Sequence, residues 1–299
     1  MKPAIRAKLE EIRQKRAFNV EDWVNKKCEL LNQYMRKSGL KATVVNVSGG
    51  IDSAVTILLC QKAATLPDSP IKKVLGIIQP IHSTSHIMSR AEEFLIEKKI
   101  EYANVDQSAV YDLLSKTVED CLKYPNAQFA GGMLKSYMRT PVAYYAAQLL
   151  SSNGLPAIVI GTGNYDEDGY LYYFCKPGDG TSDVQLIHDL HKSEVFAVAR
   201  YLNCTSKILD APPSADLWDA QTDEGELGFS YDFCELYVEL LHDKADMDKW
   251  VATLDEETRQ QWDHVAQKIE TTHRRNSHKE VWPVNLDIIC PTGKQYVPK

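Results

Sequence analysis

The sequence predicts an α/β fold with a doubly wound, mainly parallel β-sheet flanked by helices. Short apolar runs typical of buried strands alternate with segments of helical periodicity along most of the chain. Such alternation implies right-handed crossovers between parallel strands. Sheets of this kind bind ligands at the carboxyl ends of their strands. Unusual polar or glycine-rich residues follow three predicted strands, namely Ser48-Gly49-Gly50, Gln79 and Gly161-Thr162.

Each element is predicted from its own pattern. Apolar residues at three- and four-residue spacing predict helices over 4–17, 20–38, 53–64, 84–99, 107–123, 131–151, 191–202, 230–242 and 255–273. Short apolar runs predict strands at 43–47, 74–78, 102–105 and 157–160. Residues 166–184, rich in Gly, Asp and Tyr, are expected to form a long functional loop, and 210–229 an irregular segment.

Composition narrows the class of protein. The chain has 299 residues, of which 44% are hydrophobic and 25% charged, which is ordinary for a soluble globular protein. A net charge of −7 argues against general nucleic-acid binding. No apolar run approaches the roughly 18 residues of a membrane span. Seven scattered cysteines without a Cys-x-x-Cys pair indicate reduced thiols and a cytoplasmic location.

The loop Ser48-Gly49-Gly50-Ile51-Asp52-Ser53 carries the first chemical signal. Its glycines allow a sharp turn and a close approach to a ligand, and the free N–H groups of the next helix attract anions. Ser48 and Ser53 add hydroxyl donors, while Asp52 can hold Mg²⁺ beside a phosphate. An ordinary strand–turn–helix with Asp52 favoured by the helix dipole is the alternative. No Gly-Lys-Ser/Thr follows, so this is not a Walker loop.

Further motifs occur in the second half of the chain. They are Gly161-Thr162-Gly163-Asn164 with Glu167, Lys176-Pro177-Gly178-Asp179-Gly180 with Asp183, His191-Lys192-Ser193-Glu194-Val195, Pro213-Ser214-Ala215-Asp216-Leu217-Trp218, Gln221-Thr222-Asp223-Glu224-Gly225-Glu226-Leu227-Gly228 and His278-Lys279. The loop at 48–53 resembles the pyrophosphate-binding loop of the ATP pyrophosphatases. Together the motifs resemble the ammonia-dependent NAD synthetases, over residues 20–283.

The resemblance implies a Rossmann-like, adenine nucleotide alpha hydrolase-like fold in a single domain over 1–299. Within it, residues 1–40 would form a helical segment, 41–205 an ATP-pyrophosphatase core, and 206–299 the substrate loops and C-terminal helices. It also implies a homodimer. The N-terminal helices and the helices over 230–273 are the candidate dimer faces.

The same resemblance implies a ligase that amidates the carboxylate of deamido-NAD (nicotinic acid adenine dinucleotide). The carboxylate would attack the α-phosphate of ATP and release pyrophosphate, and ammonia would then displace AMP. Mg²⁺ is the expected metal, because the charge on the leaving pyrophosphate calls for cations and backbone donors. With 299 residues the chain leaves no room for a fused amidase domain. Ammonia would come from solution or from a separate glutamine amidotransferase, and both sources stay open.

Individual roles follow from the resemblance as well. Asp52 and Glu167 would be the Mg²⁺ ligands and, with Asp179 and Lys192, the catalytic residues. The implied ATP contacts are Ser48, Gly49, Gly50, Ile51, Asp52, Ser53, Thr162, Lys192 and Ser214. The implied deamido-NAD contacts are Arg139, Lys176, Asp183, His278 and Lys279. Local chemistry leaves alternatives open, since Asp179 is also a typical turn residue and Ser214 a typical helix N-cap.

Tyr137, Thr181 and Glu280 depart from the family pattern. Tyr137 and Glu280 each stand where the family has an arginine. Losing two positive charges near a substrate with two phosphates should weaken binding unless other cations compensate. Two alternatives therefore remain: another ATP pyrophosphatase, such as a GMP-synthetase-like amidase or a tRNA-thiolating enzyme, and a non-catalytic dinucleotide sensor. Retention of both Asp52 and Glu167 argues against a sensor.

Overall fold

A computed structural model describes residues 1–83, 85–214, 222–281 and 283. Five parallel strands form one sheet in the order β3-β2-β1-β4-β5. The strands are β1 (Ala42–Asn46), β2 (Lys73–Ile78), β3 (Glu101–Asn104), β4 (Ala157–Gly161) and β5 (Val184–Gln185). The predicted α/β fold with a parallel sheet flanked by helices is thereby confirmed.

Twelve α-helices lie within the described ranges. They are α1 (Pro3–Arg16), α2 (Val20–Lys37), α3 (Ile51–Thr65), α4 (Ser85–Glu97), α5 (Ser108–Leu122), α6 (Gln128–Ser152), α7 (Lys192–Tyr201), α8 (Ser206–Leu209), α9 (Asp223–Leu227), α10 (Tyr231–Leu241), α11 (Lys244–Ala252) and α12 (Glu256–Asn276). A π-helix covers Tyr165–Leu171, and a 3₁₀ turn covers Ser277–Lys279.

Three departures from the sequence-based prediction concern short elements. The expected loop over 166–184 begins inside the π-helix and ends in β5. The expected irregular segment over 210–229 contains α9, and α8 and α11 were not predicted. Some residues that carry predictions lie outside the described residues. They are Thr84 in the predicted helix over 84–99, residues 215–221 in two of the motifs, and Cys290 among the cysteines.

The order of the strands opens a crevice between β1 and β4. The chain runs outward from β1 to β2 and β3 on one side, and returns to β4 and β5 on the other. Val45 of β1 lies beside Ile160 of β4, so the two strands end close together. Ligands bind at such a switch point. The loop at 48–53 and the residues after Gly161 both begin at this crevice.

Two large apolar cores hold most of the helices in place, and a smaller one packs α6 against the sheet. The first covers one face of the sheet, where α2, α3 and α7 pack with side chains such as Met35, Ile57 and Val195. The second, away from the sheet, joins α1, α10 and α12 around buried side chains that include Leu9 and Trp262. Burial of apolar surface contributes roughly 25 cal/mol per Å², so both cores are substantial sources of stability.

One apolar surface stays uncovered within the protomer. We call it the α5–α6 face, and it consists of Val110, Leu113, Leu114, Val118, Leu122, Tyr124, Phe129, Tyr145 and Leu149, all exposed. Tyr111 is the one buried residue of α5. No helix among the described residues combines the length and apolar character that crossing a membrane requires.

Candidate active site

The loop after β1 forms a tight turn at the crevice. Gly49 has a φ of +84°, a left-handed conformation that favours glycine. The Gly50 N–H donates to Ser48 Oγ at 3.2 Å, and Ser53 Oγ donates to the Gly50 carbonyl at 3.0 Å. Arg90 of α4 donates to the Gly49 carbonyl at 2.8 Å. Because α3 begins directly after Gly50, its first N–H groups are available to an anion.

Glu167 lies on the π-helix that follows β4. The Asn164 side chain accepts a hydrogen bond from the Glu167 N–H at 3.0 Å and donates one to Asp52 Oδ1 at 2.9 Å. Asn164 therefore fixes the two loops of the crevice relative to each other. Short π-helices are rare in proteins, and those that do occur are often found at functional sites. Asn164 belongs to the motif Gly161-Thr162-Gly163-Asn164, which the sequence analysis identified, but the sequence analysis assigned no role to Asn164 itself.

Lys192 places one ammonium group between two carboxylates. Its Nζ lies 2.7 Å from Asp52 Oδ2 and 2.7 Å from Glu167 Oε1. Burial lowers the pKa of Lys192, but the two carboxylates outweigh burial and raise it, so the side chain is charged. Burial raises the pKa of Asp52. Burial also acts on Glu167, but there the Lys192 ammonium prevails and lowers the pKa. The three groups form one buried charged cluster.

Asp223 and Tyr231 complete this cluster, and the sequence analysis assigned neither a role. The Tyr231 hydroxyl donates to Asp223 Oδ2 at 3.1 Å and is also hydrogen-bonded to Glu167. Its ring lies 4.9 Å from Lys192 Nζ, a cation–π distance. Asp223 Oδ1 is buried and has no hydrogen-bond partner among the described residues. Burial and the nearby Glu167 carboxylate raise the pKa of Asp223 to about 7.

The cluster opens onto a cavity of about 860 Å³. This volume is within the range of about 300–1,000 Å³ common for ligand sites. The cavity brings together most of the residues predicted from the sequence, namely Ser48, Gly50, Ile51, Asp52, Ser53, Arg139, Thr162, Glu167, Asp179, Ser214 and Lys279. Gly49, Lys176, Asp183, Lys192 and His278 do not line it.

Four of the predicted dinucleotide contacts make bonds within the protein. Lys279 Nζ donates to two backbone carbonyls at 2.9 and 2.7 Å, and Lys176 Nζ donates to another at 2.8 Å. The Asp183 carboxylate accepts from a backbone N–H at 2.9 Å and from a tyrosine hydroxyl at 3.2 Å. His278 is exposed, with Nδ1 3.1 Å from a backbone carbonyl. These side chains hold the loops over 172–183 and the end of the described chain in place.

Asp179 lies in a glycine-flanked turn of the cavity wall. Its Oδ1 accepts from the Cys175 N–H at 2.9 Å and from Ser136 Oγ at 3.2 Å. Burial raises the pKa of Asp179. Asp168 faces the same cavity, and burial together with repulsion by Asp179 raises its pKa well above the ordinary value. One wall of the cavity is therefore strongly acidic.

A further part of the cavity lining is provided by α12. Its cavity-lining residues are His264, Gln267, Lys268, Thr271, Thr272, Arg275 and Asn276, which we call the α12 stripe. They recur at three- and four-residue spacing and so share one face of the helix. The sequence analysis gave them no role, because it considered the predicted helix over 255–273 only as part of a candidate dimer face.

A parallel sheet whose switch-point crevice combines an anion-binding turn with two carboxylates and a buried lysine defines an α/β enzyme that acts on nucleotides. The profile of the NAD synthase family matches residues 23–283. The chain belongs to this family, as its motifs predicted.

Individual relatives extend over most of the chain. The "NH(3)-dependent NAD(+) synthetase" of Alkaliphilus oremlandii is 32% identical over 272 residues, which are 89% of this chain and 96% of the relative. The protein of the same name from Mycoplasmopsis pulmonis is 32% identical over 264 residues, covering 87% and 88% of the two chains.

Solved structures agree in fold. The NMN synthetase from Francisella tularensis superposes with a TM-score of 0.73 at 26% identity, covering 90% of this chain and 98% of that one. The NH3-dependent NAD synthetase from Campylobacter jejuni gives a TM-score of 0.69 at 22% identity, with coverage of 90% and 100%. At that identity the second likeness shows the fold alone.

Proposed function

We propose that this protein amidates deamido-NAD to NAD with ammonia and ATP, as an ammonia-dependent NAD synthetase. The observation that carries the proposal is the cluster of Asp52, Glu167 and Lys192, whose ammonium lies 2.7 Å from each carboxylate beside the loop at 48–53. The relatives that match most of the chain bear the name of this activity. The reaction makes a C–N bond and so belongs to the ligases.

The first step activates a poor electrophile. A carboxylate oxygen of the substrate attacks the α-phosphorus of ATP, the bond to the bridging oxygen breaks, and pyrophosphate leaves. Negative charge accumulates on the leaving group, where the N–H groups at the start of α3 and the hydroxyls of Ser48 and Ser53 are suitable donors. Thr162 and Ser214, in the same cavity wall, are assigned as further ATP contacts.

The donor set of Asp52 and Glu167 fits Mg²⁺. This ion prefers oxygen ligands and is usually held by one or two carboxylates together with substrate phosphates and water. Among the described residues no group of three or more His, Cys, Asp or Glu is arranged to hold a metal, so ATP and water would complete the coordination. Bound there, Mg²⁺ supplies positive charge to the phosphates. Lys192 orients both carboxylates, since its ammonium lies 2.7 Å from each of them.

The second step forms the amide. Ammonia attacks the carbonyl carbon of the acyl adenylate, the C–O bond to AMP breaks, and a proton leaves the nitrogen. We assign Asp179 to hold ammonium and to accept this proton, because its carboxylate lies in the cavity wall and is fixed by two hydrogen bonds. The burial that raises the pKa of Asp179 makes it a better proton acceptor than an exposed aspartate.

The dinucleotide is assigned to the part of the cavity that Arg139 and Lys279 line. Lys176 and Asp183 contribute by holding adjoining segments through their bonds to the backbone. The Francisella relative in fold is named NMN synthetase, so nicotinic acid mononucleotide is the second substrate to test. GMP-synthetase-like amidation, tRNA thiolation and a non-catalytic sensor are the remaining alternatives.

The decisive experiment supplies purified protein with ATP, Mg²⁺, ammonium and deamido-NAD. We expect NAD and AMP to form in equal amounts and the reaction to stop when EDTA removes the metal. Asp52→Asn should lower kcat at least about a hundredfold, because the amide cannot replace a carboxylate ligand beside the phosphates. Asp248→Asn, an exposed aspartate of α11, is the matched control. Products are quantified by liquid chromatography.

The outcomes separate the alternatives. Turnover of Asp52→Asn at the rate of the control would refute its metal role. Absence of product from both nicotinate nucleotides would refute the proposed function, and AMP formation with another acid would redirect it. Glutamine should replace ammonium only when a separate amidotransferase is added.

We further propose that residues 1–299 form a single domain and that the protein acts in the cytoplasm as a homodimer. The six cysteines in the described part of the chain are free thiols, which suits a reducing compartment. The α5–α6 face is assigned as the dimer surface.

A further inference from the structure

The α12 stripe faces the cavity, and its charged residues Lys268 and Arg275 have no role in the proposed reaction steps. The helix buries Trp262 and Ile269 against the second core. This packing turns Lys268, Thr272 and Arg275, at positions i, i+4 and i+7, toward the cavity. Lys268 and Arg275 are seven residues apart, which is two helical turns or about 10 Å along the axis.

The two cations of the stripe make no ion pair with any residue that the structure describes. Lys268 Nζ donates to a backbone carbonyl, that of Gly228, at 3.2 Å, and Arg275 is exposed. Arg13 and Arg16 of α1 differ in this respect, since they pair with carboxylates at 2.6 and 2.5 Å. A cation that faces a cavity without a carboxylate partner is suited to an anionic ligand.

The acidic part of the cavity lining is poorly suited to a second anion. It presents the carboxylates of Asp52, Glu167, Asp168, Asp179 and Asp223, and the single ammonium of Lys192 lies between two of them. The metal and the loop at 48–53 are needed for the phosphates of ATP. The ammonium groups of Lys176 and Lys279 donate to backbone carbonyls. Arg139, already assigned to the other nucleotide, also lines the cavity, and further cations there would suit the two phosphates of that nucleotide.

We propose that the α12 stripe binds the phosphates of the nucleotide whose carboxylate is amidated. Lys268 and Arg275 make the ionic contacts, and the Thr272 hydroxyl lies between them on the same face. The Thr271 hydroxyl donates to the Gln267 carbonyl at 2.7 Å and is not needed for the ligand. The inference rests on the proposed function and names a binding surface for its second substrate. It also supplies the cations that compensate for Tyr137 and Glu280.

Direct binding tests the inference without requiring turnover. The dissociation constant of deamido-NAD is measured by titration calorimetry for the wild type, Lys268→Ala, Arg275→Ala and Arg274→Ala. Each of the first two variants should weaken binding about tenfold, the loss expected for one charge-assisted hydrogen bond in a partly exposed site. Arg274 carries the same charge, is exposed on the same helix and does not line the cavity, so Arg274→Ala should bind as the wild type does.

Kinetics provide a second readout that loss of structure would not mimic. The KM for deamido-NAD should rise in Lys268→Ala and Arg275→Ala, while the KM for ATP stays within twofold of the wild type. Arg275→Lys should recover part of the affinity, because it restores the charge without the bidentate geometry. Thermal unfolding of all variants checks that the fold is retained.

Distinct results identify distinct failures. Dissociation constants of the two cavity variants equal to that of Arg274→Ala would overturn the inference and leave the proposed function standing. An equal rise of the KM for ATP would overturn the assignment to the second nucleotide. If the wild type turns over nicotinic acid mononucleotide instead of deamido-NAD, the dissociation constants of the same variants are measured for that mononucleotide. A wild type that neither binds nor converts a nicotinate nucleotide would overturn both proposals.

Discussion

At the scale of single residues, Tyr231 connects the parts of the acidic wall. Its hydroxyl is hydrogen-bonded to Asp223 and Glu167, and its ring lies 4.9 Å from the Lys192 ammonium. The backbone N–H of Tyr231 donates to Glu224 Oε1 at 2.9 Å, which ties α10 to α9. One side chain therefore orients a proposed metal ligand and contacts the neighbouring cation. Residues that orient a metal ligand commonly affect activity tenfold to about a hundredfold.

Replacement of Tyr231 by Phe tests this positioning role. Tyr231→Phe keeps the ring near Lys192 and removes the hydroxyl, so kcat should fall about tenfold. The Mg²⁺ concentration needed for half-maximal rate should rise, which loss of packing alone would not cause. Tyr237→Phe, on the same helix, loses a 2.9 Å bond to Glu270 outside the cavity and is the control. Unchanged Mg²⁺ dependence in Tyr231→Phe would contradict the role.

The sequence predicted part of this residue-level arrangement. Asp52 and Glu167 follow strands β1 and β4, and motif spacing was enough to expect them at one crevice. The contacts of Tyr231 could not be predicted, because they depend on how α10 packs against the π-helix. Asp223 was visible within a motif, but its buried, unpartnered oxygen is a property of the folded chain.

At the scale of elements, a buried charged network fixes the start of α7. His191 Nδ1 lies 2.7 Å from Asp166 Oδ1, and its Nε2 lies 3.0 Å from Glu239 Oε1. Both ring nitrogens donate only when the imidazole is protonated. Burial lowers the pKa of His191, but the two carboxylates outweigh burial and raise it to about 10. Arg16 of α1 joins the network through Glu194 at 2.5 Å.

The network predicts a pH dependence of stability. The unfolded histidine has a pKa of about 6.5, so the folded state binds more protons than the unfolded state between pH 6.5 and about 10. The contribution of His191 is complete below pH 6.5 and is lost as the pH rises through about 10. Thermal unfolding monitored by circular dichroism should show a melting temperature that falls across this window.

A histidine variant isolates the effect. His191→Asn should lower stability by about 3 kcal/mol at pH 6, because it leaves two buried carboxylates without their cation. Its melting temperature should also depend less on pH between 7 and 10. His188→Asn, at an exposed position, serves as the control. Parallel pH profiles for His191→Asn and the control would show that His191 is not the titrating group.

Apolar patterning predicted the strands and the longer helices better than the shortest helices. The predicted strands at 43–47, 74–78 and 157–160 correspond to β1, β2 and β4, with bounds that differ by at most one residue. α8 and α9 have four and five residues, too few for a helical spacing to repeat. The π-helix depends on hydrogen bonds five residues apart and on the Asn164 cap, and neither produces a distinctive apolar pattern.

At the scale of the whole molecule, the α5–α6 face is the surface that we propose a second copy of the chain covers. Leu113, Phe129 and Tyr145 are 71%, 63% and 66% exposed, and monomers rarely leave so large an apolar patch uncovered. Phe129 also lines the cavity, so the face is continuous with the proposed active site. A second copy of the chain, related by twofold symmetry, would cover both. By contrast, α1 buries its apolar stripe against α10 within the protomer.

A charge placed on this face should separate the subunits. Leu113→Glu introduces two buried, like charges at a symmetric contact, so we expect the dimer to dissociate at micromolar concentration and turnover to fall. Light scattering after size-exclusion chromatography measures the mass. Leu30→Glu, on α2 and 57% exposed, is the matched control and should stay dimeric. A monomeric wild type, or a dimeric Leu113→Glu, would refute the assignment of this face.

Because α1 packs against α10 and α12, the order of synthesis affects the order in which the parts of the molecule can fold. Ile5 and Leu9 of α1 share a core with Trp262, and Arg13 bonds to Glu235, 222 positions later in the chain. The strands that carry the loop at 48–53 are complete once residue 161 has been made. During synthesis, the apolar side chains of α1 have no core to pack into until α10 and α12 have been made. The strands that carry the loop at 48–53 are therefore complete first, and the α12 stripe is added last.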